Sequence, residues 1–350
     1  MSRQKPTGQP RSITLALQGG GSHGAFTWGV LDRLLEDDRV AIEGISGTSA
    51  GAMNAVVLTD GFERNGRKGA RQALEQFWHA MSQYGAFSPF FAGPASAWAA
   101  WFDGLTHLFS PEQFNPLDID PLRDVLAQTI DFDCVRRCRH IRLFISATNV
   151  KTNQLRLFTG DEITLQALLA SACLPHLHRA VEIDGEFYWD GGFMGNPVLE
   201  PLVEQCKSCD IMVVQVNPTC RDTVPRTAGE ILDRVNEISF NSSLLREIRA
   251  IAWGNELVQN GAMQRSDARY RCMRFHRIAA EADMAALPLH SKLDTRWTFL
   301  LQLKELGRQH ADAWLGEHFA DLGRRSTIDL GAWCWTAPGA QGASLAQPTV

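Results

Sequence analysis

Ser49 lies in Gly47-Thr48-Ser49-Ala50-Gly51, a G-x-S-x-G run, and a serine flanked in this way can act as a nucleophile. The reason is steric. Small neighbours permit a sharp turn between a strand and a helix, which lifts the hydroxyl out of a sheet. It is then aimed at the helix N-terminus, where backbone N–H groups favour developing negative charge. Taken alone, the run also fits a small-residue turn with no chemistry. A second run, Gly19-Gly20-Gly21-Ser22-His23-Gly24, is a glycine-rich entry to a helix, whose unpaired N–H groups can hold an oxyanion. A third, Asp190-Gly191-Gly192, can leave a carboxylate free on a tight turn, although an Asp-Gly hairpin is the plainer reading of those residues.

These residues need elements to hold them. Residues 13–17 form a short apolar run that stops at glycine and so read as a strand. Residues 24–35 read as a helix with Phe26, Val30, Leu31, Leu34 and Leu35 on one face. Residues 40–45 are a second strand and 50–58 a buried helix, which puts Ser49 at a strand-to-helix junction. Residues 141–147 and 211–216 are dense in apolar residues and read as core strands; between them a helix over 164–173 is capped by Thr164. Strands alternating with helices imply a parallel sheet covered on both faces. Past residue 219 the pattern turns helical. Thr227 to Glu230 is a capping box, and Ile231, Val235, Ile238, Leu245, Ile248 and Ile251 recur at helical spacing up to Asn260-Gly261. A strand over 270–278 and a helix over about 295–319, capped by Asp294, follow.

As an ordered set, the three runs resemble the patatin-like phospholipases, whose pattern is a glycine-rich oxyanion loop, a G-x-S-x-G elbow and a D-G-G/A turn. Ala170-Ser171-Ala172-Cys173-Leu174-Pro175 is similar to the block that precedes the family's aspartate. The resemblance spans residues 13–218, about three-fifths of the chain. It implies an α/β fold, three-layer α/β/α with a mostly parallel central sheet, plus a mainly helical C-terminal extension. It also implies a dyad without histidine, in which Ser49 is the nucleophile and Asp190 takes its proton. The N–H groups of Gly19 to Gly24, centred on Gly20, Gly21 and Ser22, would hold the oxyanion. Gly47 and Gly51 would shape the elbow, and Gly191 and Gly192 the turn after the aspartate. No cofactor or metal is implied. The substrate would be a lipid or another acyl ester, cleaved as by a phospholipase A, a lysophospholipase or an esterase. One departure stands out: many members carry Arg or Lys where this chain has His23. A histidine there can donate a hydrogen bond, but the sequence leaves its charge open, and it also fits a surface imidazole at the first helical turn.

Other readings compete. Gly19, Gly21 and Gly24 fit the G-x-G-x-x-G dinucleotide fingerprint with Glu43 as ribose ligand, but Glu43 precedes Gly44-Ile45-Ser46 and the next turn is taken by the serine run. A Ser-His-Asp hydrolase could use His276, His290 or His310, yet that fold places several strands before its elbow and Ser49 follows the second. An acyl-thioesterase, or a lipid-binding module that has lost catalysis, would share the fold. Residues 77–114 hold 11 of the 31 aromatic residues and could line an acyl channel, dip into a membrane surface or pack on the core.

Bulk properties narrow the field. The net charge of -5 over 350 residues lacks the basic footprint of nucleic-acid binding. No apolar run near the start is long enough for a secretory signal, and the uncharged stretch 80–102 is broken by Gly85, Pro89, Gly93 and Pro94. Eight dispersed cysteines then read as reduced thiols of a cytoplasmic protein, with peripheral membrane contact through its substrate. Zinc would need Cys206 and Cys209, or Cys134, Cys138 and His140, whose spacings form no double pair. The expected organisation is a flexible 1–11, a catalytic domain 12–218, a helical extension 219–328 packed on it, and a disordered tail 329–350.

Overall fold

A computed structural model describes residues 9–87, 120–175, 177–221, 223–261, 271–330 and 333. Its centre is an eight-stranded sheet in the order β5-β6-β3-β2-β1-β7-β8, with β4 paired to β3. The strands are β1 (Arg11–Leu17), β2 (Val40–Gly47), β3 (Arg142–Asn149), β4 (Leu155–Thr159), β5 (Val181–Ile183), β6 (Glu186–Asp190), β7 (Asp210–Gln215) and β8 (Arg274–Ala279). From β3 across to β8 all neighbours are parallel, whereas β4, β5 and β6 run antiparallel to their partners. Among the described residues, helices α1 (Gly24–Glu36), α2 (Ala50–Phe87), α3 (Pro121–Thr129), α4 (Phe132–Arg137), α5 (Leu165–Ser171), α6 (Glu200–Gln205), α7 (Ala228–Gln259), α8 (Glu281–Ala286) and α9 (Trp297–His318) surround it.

The period-two rule for strands explains the three layers. In β1, Ile13, Leu15 and Leu17 enter one core with α1, α2 and α9, while Ala16 enters a second core beside residues of α6 and α7. Met212 and Val214 of β7 join the first core; Ile211 and Val213 join the second. This is the α/β architecture expected of the sequence, with a mostly parallel sheet, helices on both sides and a C-terminal helical region.

Several boundaries differ from the sequence reading. The first strand begins at Arg11, within the stretch 1–11 that the sequence reading made flexible; residues 1–8 lie outside the described residues. Helix α2 runs to Phe87 rather than ending near Leu58, through a kink at Asn65 and Gly66. Thr164 and Thr227 cap their helices as expected, each accepting a backbone N–H, from Ala167 and Glu230. Asp294 does not cap α9: the helix starts at Trp297 and the Asp294 carboxylate accepts the Arg296 N–H instead. Ile231, Val235 and Ile238 of α7 do not face a core but are 48, 54 and 54% exposed. Leu330 and Trp333, placed by the sequence reading in a disordered tail, pack on the second core, and the Arg277 guanidinium lies over the Trp333 ring. Residues 334–350 lie outside the described residues, as do 88–119, which take in most of the aromatic stretch 77–114. Phe77 and Trp78, at its start, are core residues. No helix among the described residues is long and apolar enough to cross a membrane.

Candidate active site

Strand β2 ends at Gly47 and α2 begins at Ala50, so Ser49 occupies the turn between them. Its φ is 53°, a left-handed conformation that a non-glycine residue holds only when its surroundings impose it. The surroundings are identifiable. The Ser49 N–H donates to Ser171 Oγ at 3.0 Å, and Thr48 Oγ1 donates to the Gly195 carbonyl at 2.7 Å. Gly51 packs so tightly under the end of β1 that a Cβ there would lie 2.2 Å from the Leu17 carbonyl oxygen. The G-x-S-x-G spacing is therefore a packing requirement at this turn as well as a chemical one.

Asp190 is the last residue of β6, paired across from Ala147 of β3. Its side chain is buried at 2% exposure, Oδ1 accepts the Gly192 N–H at 2.7 Å, and the Ser49 side chain is near enough to favour the ionised carboxylate. Burial raises its pKa to about 6, against partial relief from the Gly192 N–H and then the Ser49 side chain. The chain after Asp190 enters a 3-10 turn, Gly191–Phe193, rather than a hairpin. The Asp-Gly hairpin of this region is Asp184-Gly185, both at positive φ, which joins β5 to β6.

The glycine-rich run follows β1 directly. At Gly19 a Cβ would lie 2.7 Å from Ser49 Cβ, so the loop rests on Ser49. Its N–H groups divide into two sets. Gly19 donates to Asn196 Oδ1 at 2.7 Å, His23 to the Gly20 carbonyl, and Gly24 to the carbonyls of Gly21 and Ser22. These three are committed, which narrows the expected oxyanion set. Among the described residues no acceptor faces the N–H groups of Gly20, Gly21 and Ser22. The loop is held from the other side as well, since Asn217 Nδ2 donates to the Gly19 carbonyl at 2.7 Å.

His23 is buried, which overturns its reading as a surface imidazole. Ser291 Oγ donates to the Pro288 carbonyl at 2.5 Å and so must accept from His23 Nε2–H at 2.7 Å, leaving Nδ1 unprotonated. Burial, and then the nearby Lys292 and Arg221 cations, lower its pKa to about 3. The imidazole is neutral and supplies no positive charge to the loop.

The competing readings do not meet this geometry. Glu43, the ribose ligand of the dinucleotide alternative, accepts the Lys207 and Ser208 N–H groups at the far end of the sheet from the glycine loop. His276 is fully buried, with Nε2 3.0 Å from Asp210 Oδ1. The register sets Leu17 beside Gly47 and Thr14 beside Ile211, so Asp210 and Ser49 lie at opposite strand ends, roughly 10 Å or more apart at ~3.3 Å per residue. His310 sits on α9 with Nε2 3.8 Å from Asp283 Oδ2, and the side chain of His290 lies outside the described residues. No group of three or more His, Cys, Asp or Glu among the described residues is placed to hold a metal ion.

Sequence reasoning flagged the 170–175 block without giving Ser171 its role, and it missed Gln18, Asn196 and Asn217 entirely. Polar residues just past a strand end, at 196 and 217, were the only local signal, and their partners lie 177 and 198 residues away.

Fold and site together define a class: an α/β protein with a mostly parallel sheet and a serine on the turn from strand to helix, against a buried carboxylate. The chain belongs to the patatin-like phospholipase family, whose members are lipid acyl hydrolases; the family model matches residues 15–203, more than half of the chain. Among solved structures, VipD from Legionella pneumophila is similar at 14% identity and a TM-score of 0.39, covering 89% of this chain and 67% of that one. The type III effector protein ExoU is similar at 15% identity and a TM-score of 0.31, covering 88% of this chain. The present chain spans only about half, 53%, of that protein. No curated protein matches the chain.

Proposed function

We propose that this chain is a serine lipid acyl hydrolase working through a Ser49–Asp190 dyad. The observation that carries the reading is the Ser49 side chain set beside the buried Asp190 carboxylate, at a turn where Ser49 is held at φ 53°. Asp190 takes the hydroxyl proton as Ser49 Oγ attacks the acyl carbonyl carbon. The open N–H groups of Gly20, Gly21 and Ser22 hold the resulting oxyanion, each such donor typically contributing about 3 kcal/mol. The intermediate collapses, Asp190 passes its proton to the departing alkoxide, and the acyl group stays on Ser49. Water then attacks the acyl-serine, giving its proton to Asp190, and the serine is restored when the carboxylic acid leaves.

The exposed apolar row Ile231, Val235 and Ile238 on α7, with Phe193 packed on Phe240 beside the Asp190 turn, supports an aggregated lipid surface as the setting of the substrate. The test is labelling with a serine-reactive fluorophosphonate, read by intact mass. One adduct is expected on the wild type and none on Ser49→Ala. A folded wild type that takes no label, with or without liposomes, would make the chain a lipid-binding module on the same fold.

A further inference from the structure

The buried, neutral His23 leaves the oxyanion loop without a cation of its own, yet a cation reaches it by another route. The 3-10 turn Leu289–Leu293 lies well beyond the stretch matched by the family model and packs on the loop. Lys292 belongs to that turn. Its carbonyl sits against Gly21, where φ is 58° and an added Cβ would be 2.3 Å from the Lys292 oxygen. Its Nζ donates to Asn217 Oδ1 at 2.7 Å. Asn217 Nδ2 in turn donates to the Gly19 carbonyl, also at 2.7 Å.

The amide of Asn217 has one workable orientation. Flipped, it would set Oδ1 against the Gly19 carbonyl, acceptor to acceptor, and its NH2 against the ammonium, donor to donor. The residue is fully enclosed and further fixed by its own N–H, which donates to Gln18 Oε1 at 3.0 Å. The Gly19 carbonyl and the Gly20 N–H are two ends of one planar trans peptide, so they point in opposite directions. A hydrogen bond on the carbonyl thus both orients the Gly20 N–H and polarises it. Bonds linked in this way strengthen one another, by about 10–30% each in condensed phases. The Gly20 N–H is one of the three that no described acceptor occupies.

We propose that Lys292 is a positioning residue of the oxyanion loop, its ammonium acting through Asn217 and the Gly19–Gly20 peptide to aim and strengthen the Gly20 N–H that meets the oxyanion formed at Ser49. The proposal rests on the Ser49–Asp190 reading. It makes the segment around Lys292 part of the catalytic apparatus, although that segment touches no reacting atom.

The experiment compares wild type with Lys292→Met, Lys292→Gln and Lys292→Arg. It measures kcat and KM on a short-chain p-nitrophenyl ester, the rate of fluorophosphonate labelling and the melting temperature. Met and Gln are expected to lower kcat and the labelling rate on the order of 10- to 100-fold, below the loss from deleting a direct donor, with KM nearly unchanged. Arg restores most of the rate. Should Lys292→Met not fold, Lys292→Gln keeps a donor while removing the charge and carries the same prediction. Adding Lys292→Met to Asn217→Ala should cost little beyond Asn217→Ala alone, because the charge acts through that amide.

A wild-type labelling rate in a folded Lys292→Met overturns the proposal, as does a lowered melting temperature with kcat intact. Full additivity in the double variant overturns the relay through Asn217. These outcomes leave Ser49 labelled, whereas failure of the hydrolase reading shows as a wild type that is neither labelled nor active.

Discussion

Burial of Asp190 carries two consequences at one atom pair. A carboxyl whose pKa is raised from 3.8 to about 6 favours its protonated form in the folded chain, so between those values the fold binds more protons than the unfolded chain. Its contribution to stability is therefore complete below the unfolded value and is lost as pH rises through the folded one. Above about pH 6 the ionised group strains the fold, by at most about 3 kcal/mol. Asp190→Asn should abolish turnover, since an amide cannot take the Ser49 proton. It should also raise stability by about 1–3 kcal/mol at pH 8 and by nothing measurable below about pH 4. Urea denaturation at the two pH values, alongside an ester assay, decides this; retained hydrolysis by the variant would remove Asp190 from the dyad. In the wild type, kcat/KM should climb with pH to a plateau through an apparent pKa near 6. His23 adds no limb of its own, because it stays neutral throughout that range. A flat profile from about pH 5 to pH 8 would exclude Asp190 as the base.

What the sequence disclosed about the elements follows from how locally each is encoded. The first strand, the glycine loop, α1, β2 and the turn at Ser49 form one run in which apolar periodicity and small residues determine the structure. Their existence and order were legible, with ends off by a few residues. Strands β4, β5 and β6 were not legible, being short and only partly buried, with no alternation long enough to identify. The clamps on the loop were hidden for another reason: Asn196 reaches Gly19 only after the chain has passed through five further strands, β2 to β6. The end of β6 and the segment after it thus supply both Asp190, the proposed base, and one clamp, Asn196. Removing the clamp with Asn196→Ala leaves the buried Gly19 N–H without an acceptor, which should cost about 1–3 kcal/mol of stability. A looser loop should also lower kcat by roughly an order of magnitude with KM little changed, since the oxyanion forms only in the transition state. Denaturation and steady-state kinetics on the same preparation measure both. A lost melting temperature with normal kcat would mean that Asn196 holds the fold but not the donors.

At the scale of the whole molecule, the division into a catalytic domain 12–218 and an extension 219–328 is a proposal whose two parts cannot be independent. Strand β8 belongs to the extension, yet it pairs with β7 from Asp210 against Arg274 to Gln215 against Ala279, at the end of the same sheet. Helix α9 lies across α1 so closely that a Cβ on Gly29 would fall 1.9 Å from the Lys304 carbonyl, and one on Gly307 2.1 Å from that of Phe26. Removing residues beyond 218 would strip cover from β7 and α1 and take away Phe275, Ile278, Leu300, Leu303, Trp314 and Leu315, all buried. Full burial of each such side chain is worth roughly 1.5–3 kcal/mol, and a native domain has only about 5–15 kcal/mol in total. Losing half of these contacts already consumes most of that margin. A chain ending at residue 218 should accordingly be insoluble or lack a cooperative melt, and it should lose Ser49 labelling even though Ser49 and Asp190 are both retained. Circular dichroism melting and fluorophosphonate labelling of the truncated and full-length chains test this directly. If the truncated chain melts cooperatively but labels slowly, the extension serves the oxyanion loop more than the core, as the contact through Lys292 requires. If it melts cooperatively and labels at the full rate, residues beyond 218 support neither.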